Sequence, residues 1–122
     1  MQVTGNTDLA IAGELDITCK EGDTFILQLL FKDDNGNLID LTNYSFAMEV
    51  KKRARWSSTI LANSVFTFTA NANGELDIEA DASDMEVKSG CYKYDLELTN
   101  NSTGVVETWL QGDFIITSDV TN

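Results

Sequence analysis

Histidine and proline are both absent from this 122-residue chain. Without histidine there is no Ser-His or Cys-His nucleophile pair, and the commonest proton shuttle and metal ligand is missing. No enzyme is expected on this ground. Without proline, edge strands need charge, bulges or a partner to protect them. Positive charge is scarce: eight Lys and Arg stand against twenty Asp and Glu, for a net charge of −12 and a pI near 4.1. That balance repels polyanions, which argues against nucleic acid and anionic membrane as partners. No apolar run approaches the roughly 18 residues that span a bilayer. There is no glycine-rich phosphate loop or dinucleotide fingerprint, so no cofactor is expected. The first residues, "MQVTGNTDLA", lack the basic region and apolar block of a signal peptide, and synthesis and folding in a cytoplasm are expected.

Cysteine is limited to Cys19 and Cys91. In "ELDITCK", Cys19 shares a face with Leu15 and Ile17. In "CYKYDLEL", Cys91 shares a face with Lys93, Asp95 and Glu97. One thiol then points inward and the other outward, which favours free thiols over an inter-sheet disulfide. Two isolated cysteines on opposite faces make no zinc site, and no metal is expected.

What is present is a hydrophobic fraction of 43%, spread along the chain and sufficient for one folded domain. The dominant period is two, with turn signals between strands. Strands are predicted at "ELDITCK", "TFILQLLF", "YSFAMEVKK", "SVFTFTA", "GELDIEA", "CYKYDLELT" and "GVVETWLQGDFIIT". "NANG" and "NNSTG" read as hairpin turns, and Gly112 as a bulge in the last strand. Ser83 with Glu86 fits a capping box, so one short helical turn is predicted near residues 82–88. The fold class is all-β: a seven-stranded antiparallel immunoglobulin-like sandwich. Residues 1–10 read as an arm, flexible or ordered on assembly, and 11–120 as the single sandwich domain. Tyr92 stands at the start of the penultimate strand, where a tyrosine corner would sit, a plain core tyrosine being the alternative.

Carboxylates are plentiful, but Asp77 and Glu79, and Asp95 and Glu97, alternate with core positions as solvated outer faces do. Glycosidase-type chemistry is not expected from them. In "DDNGNLID", Asp33, Asn35 and Asn37 follow the start of a calcium-loop spacing. The glycine falls at 36 and no glutamate closes the loop, so a turn is the better reading.

The motifs, taken in order, carry a resemblance. "EGDTFILQLLFKDDNGNLIDLTNYSFAMEVK" is followed by "GELDIEADASDMEVKSGCYKYDLELTNNSTGVVETWLQGDFIITSDVT". This string resembles small tailed-bacteriophage virion proteins, and is similar to the N-terminal attachment domains of siphophage upper-baseplate and tail-fibre proteins. It covers about residues 20 to 120. The resemblance implies a virion component, made in the host cytoplasm, present in many copies in a symmetric assembly and bound to other phage virion proteins. A role on the tail, baseplate, collar or fibre base is expected ahead of a capsid cement or decoration role that stabilises the head shell.

"KKRARW" holds four of the eight basic residues, both arginines among them, and ends in a tryptophan. Lys51, Lys52, Arg53, Arg55 and Trp56 are the candidate partner-binding residues. Arginine forks onto carboxylates and tryptophan fills pockets, and both dominate interface hot spots. The bland alternative is a solvated strand end that balances nearby acids. A further alternative function is a carbohydrate-binding adhesion module recognising host glycan, which would need Trp56 or Trp109 exposed as a platform.

Overall fold

The computed structural model describes residues 2–4, 7–8, 13–52 and 58–118. Among them eleven strands form two sheets. In chain order they are β1 (Gln2–Thr4), β2 (Thr7–Asp8), β3 (Gly13–Glu14), β4 (Ile17–Lys20), β5 (Phe25–Lys32), β6 (Tyr44–Lys51), β7 (Thr59–Leu61), β8 (Thr67–Ala70), β9 (Glu75–Ala80), β10 (Gly90–Asn100) and β11 (Val106–Thr117). One sheet runs β2-β1-β5-β9-β8. The other runs β3-β11-β10-β6-β7, with β4 also paired to β11. This is the expected all-β immunoglobulin-like sandwich.

Alternation builds the core. On β9, Leu76, Ile78 and Ala80 are buried, alternating with exposed Glu75, half-buried Asp77 and exposed Glu79. On β10, Tyr92, Tyr94, Leu96 and Leu98 are buried, and on β5, Phe25, Leu29 and Phe31. Each buried Leu, Ile or Phe among them contributes about 1.5–3 kcal/mol on leaving water. Aromatic pairs tie the sheets together. Phe25 of β5 lies 5.4 Å from Phe114 of β11, Phe31 of β5 lies 5.4 Å from Trp109 of β11, and Phe46 of β6 stacks on Phe68 of β8 at 5.8 Å.

The seven predicted strand segments are all present, with finer differences. The first is divided into β3 and β4, and both run parallel to β11. The division falls at Leu15 and Asp16, where the chain crosses close over Gly112. A Cβ on Gly112 would stand 2.5 Å from the Leu15 carbonyl oxygen. Gly112 pairs regularly with Tyr94, so it serves close approach rather than a bulge. The bulge lies earlier: Leu96 pairs Leu110 and Glu97 pairs Thr108, leaving Trp109 as the extra residue.

The helical turn is a 3-10 turn at Ala82–Met85, pinned by buried Met85. The capping box does not form: the residue capping the turn is Asp81, and it makes no side-chain cap bond. One turn is too short for the Ser83–Glu86 reciprocity of an α-helix N-terminus. A second 3-10 turn, Asn63–Val65, carries the chain from β7 to β8. Two pieces of the arm, β1 and β2, pair within the chain: β1 lies along Leu30–Lys32 of β5, and β2 along β1.

Tyr92 does form a tyrosine corner. Its hydroxyl donates to the Lys88 carbonyl at 2.5 Å, across the connection into β10. The thiols are free. Cys19 sits beside Ile116 and Cys91 beside Ile115, on opposite sides of β11 and on opposite faces of its sheet.

Candidate functional site

The basic segment begins on β6. Lys51 is the last residue of that strand, opposite Lys93 on one side and Thr59 on the other. The Lys52 amide donates to the Ser58 carbonyl at 3.0 Å, closing the β6–β7 hairpin. Arg53, Arg55 and Trp56 lie outside the described residues. Two of the five candidate residues are therefore placed, and they fix where the segment leaves the sandwich: at the end that holds the start of β10.

The face beneath that exit is a charged row. Lys51 neighbours Lys93, Lys93 pairs with Asp113, and the Asp113 amide donates to the Asp16 carboxylate at 3.0 Å. The hydrogen bond and charge of Asp113 hold the exposed Lys93 ammonium above its ordinary pKa. Two residues further along, Asp95 of β10 faces Glu49 of β6. Partial burial lifts the Asp95 carboxyl above its usual range; Lys51 opposes this and Glu49 adds to it. Outward parity was readable for these residues. The cross-strand juxtaposition was not, because register joins distant segments.

The opposite end is polar and closed on itself. The Asp33 carboxylate accepts the amides of Asn35 and Asn37, both at 2.9 Å, and Gly36 adopts φ +84°. The turn reading of "DDNGNLID" holds, and the carboxylate is occupied by its own backbone. The Asp40 carboxylate accepts from the Thr42 hydroxyl and amide, which lower its pKa. Among the described residues no group of three or more His, Cys, Asp or Glu could hold a metal ion, and no helix is long and apolar enough to cross a membrane.

Trp109, which strand parity left ambiguous, is turned onto the core by its bulge. It packs 5.4 Å from Phe31 and 5.3 Å from Tyr44. It offers no open platform for a sugar ring. Shallow clefts mark the described surface, three of which lie along β4, β5, β8 and β9. The first, of about 370 Å³, lies between β4 and the start of β5 and includes Ile17, Cys19 and Phe25. The others flank β8 and β9.

No protein-family model matches the chain, and no curated protein matches it. Among solved structures it is similar to part of a family 123 glycoside hydrolase from Clostridium perfringens, a structure concerned with glycolipid glycan hydrolysis. The TM-score is 0.42 at 15% identity, over 90% of this chain and 24% of that one. This finding corrects the expectation that the chain is not an enzyme. Absence of histidine was too weak a ground, since glycoside cleavage runs on carboxylates alone. At this level the likeness assigns no reaction, substrate or catalytic residue here.

Proposed function

We propose that this chain is a structural component of a tailed-bacteriophage particle, docked on the tail, baseplate, collar or fibre base. The observation that carries the reading is the ordered motif string. "GDT" leads into β5, "DDNGNLIDLT" connects β5 to β6, and "YKYDLELT" lies in β10. The residues of the resemblance thus fall on successive parts of one sandwich.

The basic segment is the docking element in this reading. The segment holds half the positive charge of a −12 chain and begins at one end of the sandwich, which favours one orientation on an acidic neighbour. The remaining acidic surface disfavours the others by like-charge repulsion. Arg53→Glu with Arg55→Glu is expected to leave thermal unfolding unchanged and to reduce incorporation into particles at least tenfold, a loss of about 1.4 kcal/mol or more in docking. Quantifying the chain in purified particles checks this; normal incorporation refutes the docking role.

A further inference from the structure

We infer that the β8 edge is a self-complementary surface through which two copies of this chain pair, extending the β5-β9-β8 sheet across a two-fold axis. This goes beyond the virion reading and does not depend on it.

Sheet edges present unpaired backbone groups, and proteins blunt them with charge, bulges or brevity. Among the described residues, three edges carry such a device. β2 is two residues long. The β3–β4 edge is interrupted at Leu15 and Asp16 and carries Lys20. β7 is three residues long and joins β6 through a register shift. β8, four residues long, carries no charge, bulge or interruption. "TFTA" is uncharged, pairs with β9 in unbroken register, and closes its sheet. It does so in a chain where 23% of residues are charged.

The backbone shows what this edge offers. The Asn71 amide donates to the Glu75 carbonyl. Alternation then aims the amides and carbonyls of Thr69 and Thr67 at Asp77 and Glu79, and those of Phe68 and Ala70 away from the sheet. Phe66 continues the line in extended conformation, at φ −98° and ψ 137°, and its amide is already bonded to Asn63.

An antiparallel second copy centred on Phe68 meets every one of these groups except the Ala70 carbonyl, which faces a Phe66 amide already bonded to Asn63. Phe68 exchanges both backbone bonds with Phe68 of the second copy. Each Ala70 amide meets a Phe66 carbonyl, the one Phe66 group left open. The sequence is symmetric about the same point: Thr67 falls opposite Thr69 on the exposed face, a favourable cross-strand pair. The nearest acids are tolerated. Asp77 faces Glu79 of the second copy across two intervening strands, about 14 Å, which exceeds the Debye length of about 8 Å at physiological salt. The closed two-fold arrangement uses one patch on both copies and stops at two. A contact of five residues a side, Phe66 to Ala70, belongs to the small, transient class of interface.

Sedimentation velocity over a concentration series tests this. A monomer–dimer equilibrium is expected, with the dimer favoured by added salt because the two copies repel. Thr67→Lys with Thr69→Lys, both at exposed positions, is expected to keep the thermal midpoint and abolish the dimer. The register has its own readout. In a Cys91→Ser background, Thr67→Cys mixed with Thr69→Cys is expected to form a disulfide-linked heterodimer, and either alone to cross-link several-fold less. The inference is overturned by a monomer at up to about 1 mM, where even weak contacts are populated. A dimer indifferent to the lysines, or equal cross-linking of Thr67→Cys with itself, overturns it too. A chain that dimerises but is missing from particles sinks the virion reading alone; a monomeric chain found in particles sinks this inference alone.

Discussion

Cys19 and Cys91 flank the same strand, yet their thiols differ in chemistry. Burial, with the Asp23 charge adding to it, pushes the Cys19 thiol up to about 11. At neutral pH it stays protonated and unreactive. Cys91 is exposed. A thiol-reactive dye is expected to label one cysteine rapidly in the folded protein and two after unfolding without reductant; equal native reactivity, or no thiol in the unfolded chain, contradicts this. Asp95 gives a second residue-scale expectation. Its folded pKa lies above the unfolded value of about 3.9, so the folded state binds its proton more tightly. Its ionisation therefore erodes stability as pH rises through the window from that value to the raised one. Asp95→Asn removes the dependence. Denaturation across a pH series is expected to show no advantage for the variant in acid, a growing one through the window and a constant one above; a pH-independent difference contradicts it. Inward and outward positions such as Cys19 and Cys91 were readable from parity. The partners that shift a pKa were not, because Asp95 meets Glu49 only through register.

Element by element, alternation identified every long strand, while local irregularities escaped it. Gly112 illustrates why. A glycine inside a strand marks either a bulge or a close approach, and the Leu15 carbonyl that decides between them comes from the other end of the chain. Trp109 is the converse case: its bulge has no glycine to announce it. Turns fared better because Asn and Gly act on their own neighbours. The β8–β9 turn is held by the Asn71 side chain, which accepts the amides of Asn73 and Glu75, and by Gly74 at φ +75°. Gly74 also abuts β5: a Cβ there would stand 2.4 Å from the Phe31 carbonyl oxygen, while the Phe31 amide donates to the Gly74 carbonyl. Gly74→Ala therefore combines backbone strain with a backbone collision. It is expected to cost more than about 1 kcal/mol, read as a lowered denaturation midpoint. An unchanged midpoint would mean that the turn moves off β5 freely.

At the scale of the whole molecule, an acidic sandwich starts its basic segment at one end and, among the described residues, leaves the β8 edge without charge, bulge or interruption. The charge asymmetry was visible in the sequence, since "KKRARW" interrupts an otherwise acidic chain. The edge was not, because strand order decides which strand lies outermost. On the two proposals above, the first feature docks the sandwich in one orientation and the second pairs it with a copy of itself, both suited to a repeated position in a larger assembly. The most direct measurement of that role is cryo-electron microscopy of intact particles, fitted with the sandwich. Density at the tail tip, collar or fibre base, with the β6–β7 end against its neighbour, is the predicted result. Density repeated over the head shell would replace the tail role with a cement role. A particle without density for this chain would contradict the virion assignment outright.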